Sequence, residues 1–257
     1  MQRVINFSGG KTSAYMTITN YKEGDIVLFQ DTGREHPKTY KFINDFEAYE
    51  NIPITRISYQ NSDNPFEKLL QNKKYKVIPN RNKRICTAEL KIVTAKKYLR
   101  SIGVQRFENF LGFRADEPQR VIKRKKLFKK VVDKFPLYEG GVNKAMINDF
   151  WANKPYNLEI PSILGNCTLC FMKGEAAVMA ILREFPELGD VWIKDEENSA
   201  KLCENEPTKR RRGKKNGRTY FENVTIKQLR DMSQNTLFKD YPLEDIKPKY
   251  TCECGGL

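Results

Sequence analysis

The sequence predicts an α/β fold: a mostly parallel sheet with helices on both faces, followed by an irregular, largely helical C-terminal portion. Three observations predict it. Short apolar strand patterns alternate with helix-period patterns through the first half of the chain. A Gly-Gly turn joins the first strand pattern directly to the first helix pattern. Three polar or glycine-containing loops each follow a strand, and a parallel sheet gathers such loops at one rim, beyond the carboxyl ends of its strands.

The elements follow in order. Val4–Phe7 reads as a strand and Lys11 to about Asn20 as a helix. Ile26–Phe29 is a second strand, ending in Gln30-Asp31-Thr32-Gly33. Pro37–Tyr49 is a helix with proline near its start, where the missing N–H costs little. Ile54–Ser58 is a third strand, and Ala88–Ile102 a helix with Leu90, Val93, Tyr98 and Leu99 on a helical rhythm. Phe107–Phe113 is a fourth strand, leading into Gly112-Phe113-Arg114. After about residue 135 the pattern becomes irregular: helices at Lys144–Trp151 and Gly174–Phe185, a polar loop over roughly 194–218, and a short helix at Ile226–Met232. This divides the chain into a core, 1–135, and a C-terminal portion, 136–257, expected to pack over the rim as part of one continuous domain.

Composition narrows the class. Of 257 residues, 39% are hydrophobic and 30% charged, enough for a sizeable core. No stretch approaches the ~18 apolar residues of a membrane span, and no signal-peptide pattern opens the chain, so a cytoplasmic location is expected. There, six cysteines read as thiols, metal ligands or catalytic groups rather than structural disulfides. His36 is the only histidine, which excludes sites built on several. The net charge of +14 is concentrated in two runs, Lys123–Lys130 and Lys209–Arg218. These runs suit nucleic acid, and equally a solvated surface or loop.

The first loop carries the clearest chemistry. Gly9 and Gly10 allow a sharp turn and close approach of backbone to an anion. Ser8, Thr12 and Ser13 add hydroxyls, Lys11 a positive charge, and the helix start its free N–H groups. It is not a Walker loop, because Ile5 occupies the position of that motif's first glycine.

These residues resemble the SGGxxS loop of the PP-loop superfamily, and further segments are similar to its phosphoadenosine phosphosulfate (PAPS) reductase family. They are Asp31-Thr32-Gly33 with Pro37-Lys38-Thr39-Tyr40; Arg84-Ile85-Cys86-Thr87 with Leu90-Lys91; Gly112-Phe113-Arg114 with Glu117 and Arg120; Pro136-Leu137 with Val142–Phe150; and Pro161-Ser162-Ile163 up to Cys167 and Cys170. The resemblance covers about residues 4–175. It implies an adenine nucleotide, either a sulfonucleotide (PAPS or APS) or ATP, the latter with Mg²⁺. Arg84, Lys91, Arg114 and Arg120 become candidate phosphate or sulfate ligands, arginine suiting bidentate contacts. Asp31 reads as a ligand for a hydroxyl or Mg²⁺, or as a turn former. Thr12 stands where many ATP-using relatives carry aspartate, which favours a metal-free sulfonucleotide.

In cluster-bearing members of that family a Cys-Cys pair and a distant C-x-x-C hold a 4Fe–4S cluster. Here Cys86, Cys167 and Cys170 match, but Thr87 replaces the second cysteine of the pair. Cys252, or else Cys254, is the candidate for the remaining ligand, with Cys203 weaker; zinc and plain buried thiols are the alternatives. The tail Glu253-Cys254-Gly255 is similar to the family's catalytic Glu-Cys-Gly. That resemblance implies a Cys254 thiolate attacking the sulfonucleotide sulfur, with a thioredoxin-like dithiol restoring the enzyme. The favoured reaction is reduction of a sulfonucleotide to sulfite and adenosine phosphate. A second reading is ATP-dependent adenylation and thiolation of nucleic acid, and a third is nucleotide or nucleic-acid binding without catalysis.

Overall fold

The computed structural model describes residues 1–72, 77–124, 130–204, 219–235 and 242–250. Five strands, β1 (Gln2–Asn6), β2 (Ile26–Asp31), β3 (Thr55–Ser58), β4 (Phe107–Phe110) and β5 (Val131–Lys134), form one sheet in the order β3-β2-β1-β4-β5. Every pairing is parallel, so the expected α/β fold is observed. The helices are α1 (Lys11–Asn20), α2 (Pro37–Glu50), α3 (Pro65–Leu70), α4 (Thr94–Ser101), α5 (Pro118–Arg124), α6 (Pro136–Glu139), α7 (Lys144–Ala152), α8 (Glu175–Glu184), α9 (Asp190–Glu204) and α10 (Ile226–Ser233).

Strand alternation distributes the core between the two sheet faces. Val4 and Leu28 pack with Ala95 and Leu99 of α4 on one face. Their neighbours Ile5 and Phe29 pack with Phe42, Ile43 and Phe46 of α2 and Trp151 of α7 on the other. A further apolar cluster, centred on Phe66, Trp192, Tyr220, Ile226 and Leu229, supports the C-terminal helices and includes Cys167 and Cys170. No helix among the described residues is long and apolar enough to cross a membrane.

Three elements depart from the sequence reading. The strand β5 is additional: four residues beside a basic run offer too little alternation to show a strand, and the parallel pairing with β4 creates it. The helix expected over 88–102 begins as a π-helix, Cys86–Val93, before α4. The polar loop expected from residue 194 is helical to Glu204. Polarity misled there because two of the acids are buried and bonded across the fold. Asp195 accepts from Arg34 Nη2 (2.7 Å) and the Tyr220 hydroxyl (2.8 Å). Glu196 accepts from the backbone N–H groups of Tyr220 (3.1 Å) and Ile226 (2.8 Å). The second basic run, 209–218, lies outside the described residues.

A row of polar side chains crosses four strands near their carboxyl ends. Gln30 Nε2 donates to Asn6 Oδ1 (3.4 Å), Asn6 Nδ2 to Asn109 Oδ1, and Asn109 Nδ2 to Asp133 Oδ1 (2.6 Å). Arg124 of α5 closes the row on Asp133 through Nε (3.1 Å).

Candidate active site

The chain turns from β1 into α1 through Ser8-Gly9-Gly10. Gly9 has φ +75°, and a Cβ there would meet Thr39 Cγ2 at 2.7 Å, so both conformation and space require glycine. Ser13 braces the turn: its Oγ accepts from Ser8 N (3.0 Å) and donates to the Gly10 carbonyl (2.9 Å). No side chain caps α1 at Gly10, which leaves the unsatisfied N–H groups of its first turn for a ligand. Gly112, in the loop after β4, comes so close that a Cβ would lie 3.5 Å from Ser13 Cα. Trp151 Nε1 donates to the Lys11 carbonyl (3.0 Å), tying α7 to the same turn.

These segments open onto a cavity of about 400 Å³. It lies where the strand order reverses, between β1 and β4, the place where open α/β sheets bind ligands. One wall is Ser8 to Ser13; a second is Gly112 to Arg114 with Glu117 and Arg120. The third belongs to the C-terminal portion and includes Pro161–Ile163, Cys170, Met172, Lys173, Pro248 and Tyr250. Arg114 pairs with Asp116 through Nε (2.9 Å) and lies 3.5 Å from Glu117, which also accepts from Arg120 Nη1 (2.9 Å). The Arg120 guanidinium packs over the Phe113 ring at 4.1 Å. Glu117 thus holds both arginines at the cavity edge. Burial lowers the pKa of Lys11.

Of the residues singled out from the sequence, Ser8, Gly9, Gly10, Lys11, Thr12, Ser13, Gly112, Arg114, Arg120 and Cys170 bound this cavity. Asp31, Thr32, Gly33, Arg84, Lys91, Cys86 and Cys167 are not part of its lining. Asp31 is engaged in its own turn, accepting from Gly33 N (2.8 Å) and the Tyr40 hydroxyl (2.8 Å). Thr32 donates to the buried carboxylate of Glu35 (2.7 Å) and lies 3.3 Å from Cys167 Sγ. Arg84 Nη2 lies 3.4 Å from Thr87 Oγ1, and Lys91 is buried in the π-helix. Cys252 and Cys254 lie outside the described residues, as does the side chain of Cys203.

Behind the cavity wall the three described thiols are neighbours. Burial, reinforced by Cys170, pushes Cys86 up to about 11. Burial and the Glu35 carboxylate push Cys167 up to about 12, with Lys91 opposing. Lys173 Nζ is buried and donates to the carbonyls of Cys167 (2.8 Å) and Thr168 (2.7 Å); desolvation brings its pKa down to about 8. Among the described residues no three His, Cys, Asp or Glu side chains are arranged to hold a metal ion, so these thiols do not by themselves fit a 4Fe–4S cluster or zinc.

Sequence reasoning missed Lys144, Lys173 and Tyr250 on the cavity wall, and Glu35 beside Cys167. The spacing of Lys173, three residues after Cys170, was the one available signal. Tyr250 carried none, because segments far apart in sequence bring it there.

The model of the phosphoadenosine phosphosulfate reductase domain matches residues 2–150. An uncharacterised nin region protein of Escherichia phage lambda is 31% identical over 202 residues, 67% of either chain. An uncharacterised protein of Methanocaldococcus jannaschii is 29% identical over 203 residues, which is 74% of this chain and 40% of that longer one. Among solved structures, a PAPS reductase from Candida auris, in complex with phosphate, aligns over 61% of this chain and 74% of its own, with 16% identity and a TM-score of 0.41. With more than half its length matched by the domain model, and with the glycine loop, parallel sheet and cavity just described, the chain belongs to the phosphoadenosine phosphosulfate reductase family.

Proposed function

We propose that the protein binds an adenine nucleotide in this cavity and reduces a sulfonucleotide, PAPS or APS, to sulfite and adenosine phosphate. The observation that carries this reading is the meeting of an anion-binding loop and a thiol in one cavity. Ser8 to Ser13 and the arginines bound one side, and Cys170 with Lys173 the other. Lys11, Arg114 and Arg120 clamp phosphate and sulfate, and their charge stabilises the leaving phosphate as the S–O bond breaks. The arginines release Asp116 and Glu117 to do so, exchanging carboxylate for ligand oxygens. The nucleophile is Cys254, which follows Tyr250 of the cavity wall by four residues. Commitment of Asp31 to its turn agrees with a site that works without Mg²⁺.

A second reading keeps the cavity and uses ATP to activate nucleic acid for thiolation; the net charge of +14 favours it. Sulfite release from PAPS, by anaerobically purified protein supplied with a dithiol reductant, separates the two. The reductase releases sulfite, and Cys254→Ser does not. Nucleotide binding without sulfite release would transfer support to the ATP-dependent reaction.

A further inference from the structure

The proposed reduction needs a second thiol, because sulfite leaves only when the thiosulfonate on the first cysteine is attacked. Cys170 borders the cavity, whereas Cys86 and Cys167 are not in its lining. Its turn is fixed from behind. Cys170 N donates to the Cys167 carbonyl (3.3 Å), and Lys173 Nζ binds the carbonyls of Cys167 and Thr168.

The chain leading to the tail is fastened across the same turn. Lys249 N donates to the Lys173 carbonyl (2.9 Å) and Tyr250 N to the Met172 carbonyl (3.0 Å). Arg81 donates from Nη1 to the Tyr250 hydroxyl (2.7 Å) and packs over its ring at 3.9 Å. Gly174, with φ +86°, makes room for this crossing: a Cβ there would lie 2.8 Å from Lys249 Cβ. Four residues of chain reach at most about 14 Å, so Cys254 is tethered to the neighbourhood of Cys170 by covalent length alone.

We propose that Cys170 is the resolving thiol of the reaction, attacking the thiosulfonate carried by the tail cysteine. The proposal rests on the sulfonucleotide-reductase reading. In the first step the Cys254 thiolate bonds to sulfur, the S–O bond breaks, and adenosine phosphate leaves with the electron pair. In the second, the Cys170 thiolate attacks Cys254 Sγ and sulfite departs with the electrons of the S–S(sulfo) bond. A Cys170–Cys254 disulfide remains: sulfur has gained two electrons, two thiols have lost them, and an external dithiol restores both. The Arg81–Tyr250 contact and the clearance at Gly174 serve as the positioning elements.

The test is a single turnover of pre-reduced full-length protein with PAPS under argon, without external reductant. Wild type is expected to release about one sulfite per chain and to yield a disulfide-linked peptide joining residues 170 and 254. Cys170→Ser is expected to stop at a sulfo adduct on the tail peptide and to release sulfite only when a dithiol is added; forming the adduct shows that the variant is folded. Gly174→Val is expected to slow adduct formation at least about tenfold while adenosine bisphosphate binding persists. Stoichiometric sulfite from Cys170→Ser without dithiol, or a wild type that halts at the adduct, overturns the proposal and leaves the reductase reading standing. A 4Fe–4S cluster ligated by Cys170 also overturns it, since one thiolate cannot both bind iron and attack. Neither adduct nor sulfite from wild type overturns the reductase reading and this proposal together.

Discussion

Arg34 and Asp195 form a buried ion pair, 2.7 Å between Nη2 and Oδ2, that joins the loop after β2 to α9. Arg34 also packs over the rings of Phe66 (4.9 Å) and Trp192 (5.9 Å). Removing one member leaves the other charged and desolvated, a cost of about 3–5 kcal/mol. Asp195→Ala should therefore lower stability by that amount in urea denaturation. The double variant Arg34→Met with Asp195→Leu should lose less than the single one. A single-variant loss below about 1 kcal/mol would show that Arg34 finds another partner.

Gly9→Ala tests the anion loop. The positive φ costs a Cβ-bearing residue about 1–2 kcal/mol, and the contact with Thr39 adds to it. Adenine-nucleotide affinity should fall roughly tenfold or more by calorimetry. Unchanged affinity would remove this turn from the binding site.

Arg120→Lys and Arg120→Ala separate charge from shape. The stacked guanidinium presents a planar fork that lysine cannot reproduce. Both variants should weaken nucleotide binding, alanine by about 1.5–3 kcal/mol, and lysine should recover only part of it. Full recovery by lysine would reduce the role of Arg120 to that of a point charge.

Glu196 gives stability a pH dependence of defined sign. Burial raises its carboxyl to about 7 from a usual value of 4.5. The folded state holds this proton more tightly, so the associated stability is complete below about pH 4.5 and is lost as pH rises through 7. Glu196→Gln keeps an acceptor for the N–H groups of Tyr220 and Ile226 and removes the charge. The variant should match wild type near pH 5 and exceed it by about 1–3 kcal/mol at pH 8. Equal stability at both pH values in urea denaturation would refute the shift.

What was legible in the sequence was local. Gly9 and Gly10 between an apolar run and a helix pattern state a backbone requirement that no distant residue alters, and α1 and α2 start at the positions expected. What stayed hidden depends on pairing across the fold. The strand β5 exists through its ladder with β4, and α9 looks like a loop until Arg34, Tyr220 and Ile226 bond its acids. The expectation of a single rim was half met. The loops after β1 and β4 share the cavity, while Thr32 of the loop after β2 turns toward Cys167 and Glu35. Motif matching names such residues without saying which side of the loop they serve.

The polar row from Gln30 through Asn6 and Asn109 to Asp133 acts as a key for strand alignment. Side chains alternate faces with a period of two, so sliding β1 or β4 by one residue would bury an amide among Phe29, Phe42 and Phe46 or against Leu99. Apolar strands such as Val4-Ile5 and Val27-Leu28-Phe29 tolerate misalignment, since either face finds grease. The amides do not, and each misregistered chain would leave a donor or acceptor stranded in an apolar layer. The same four residues that floor one end of the sheet therefore proofread its assembly, rejecting shifted parallel pairings that hydrophobicity alone would accept.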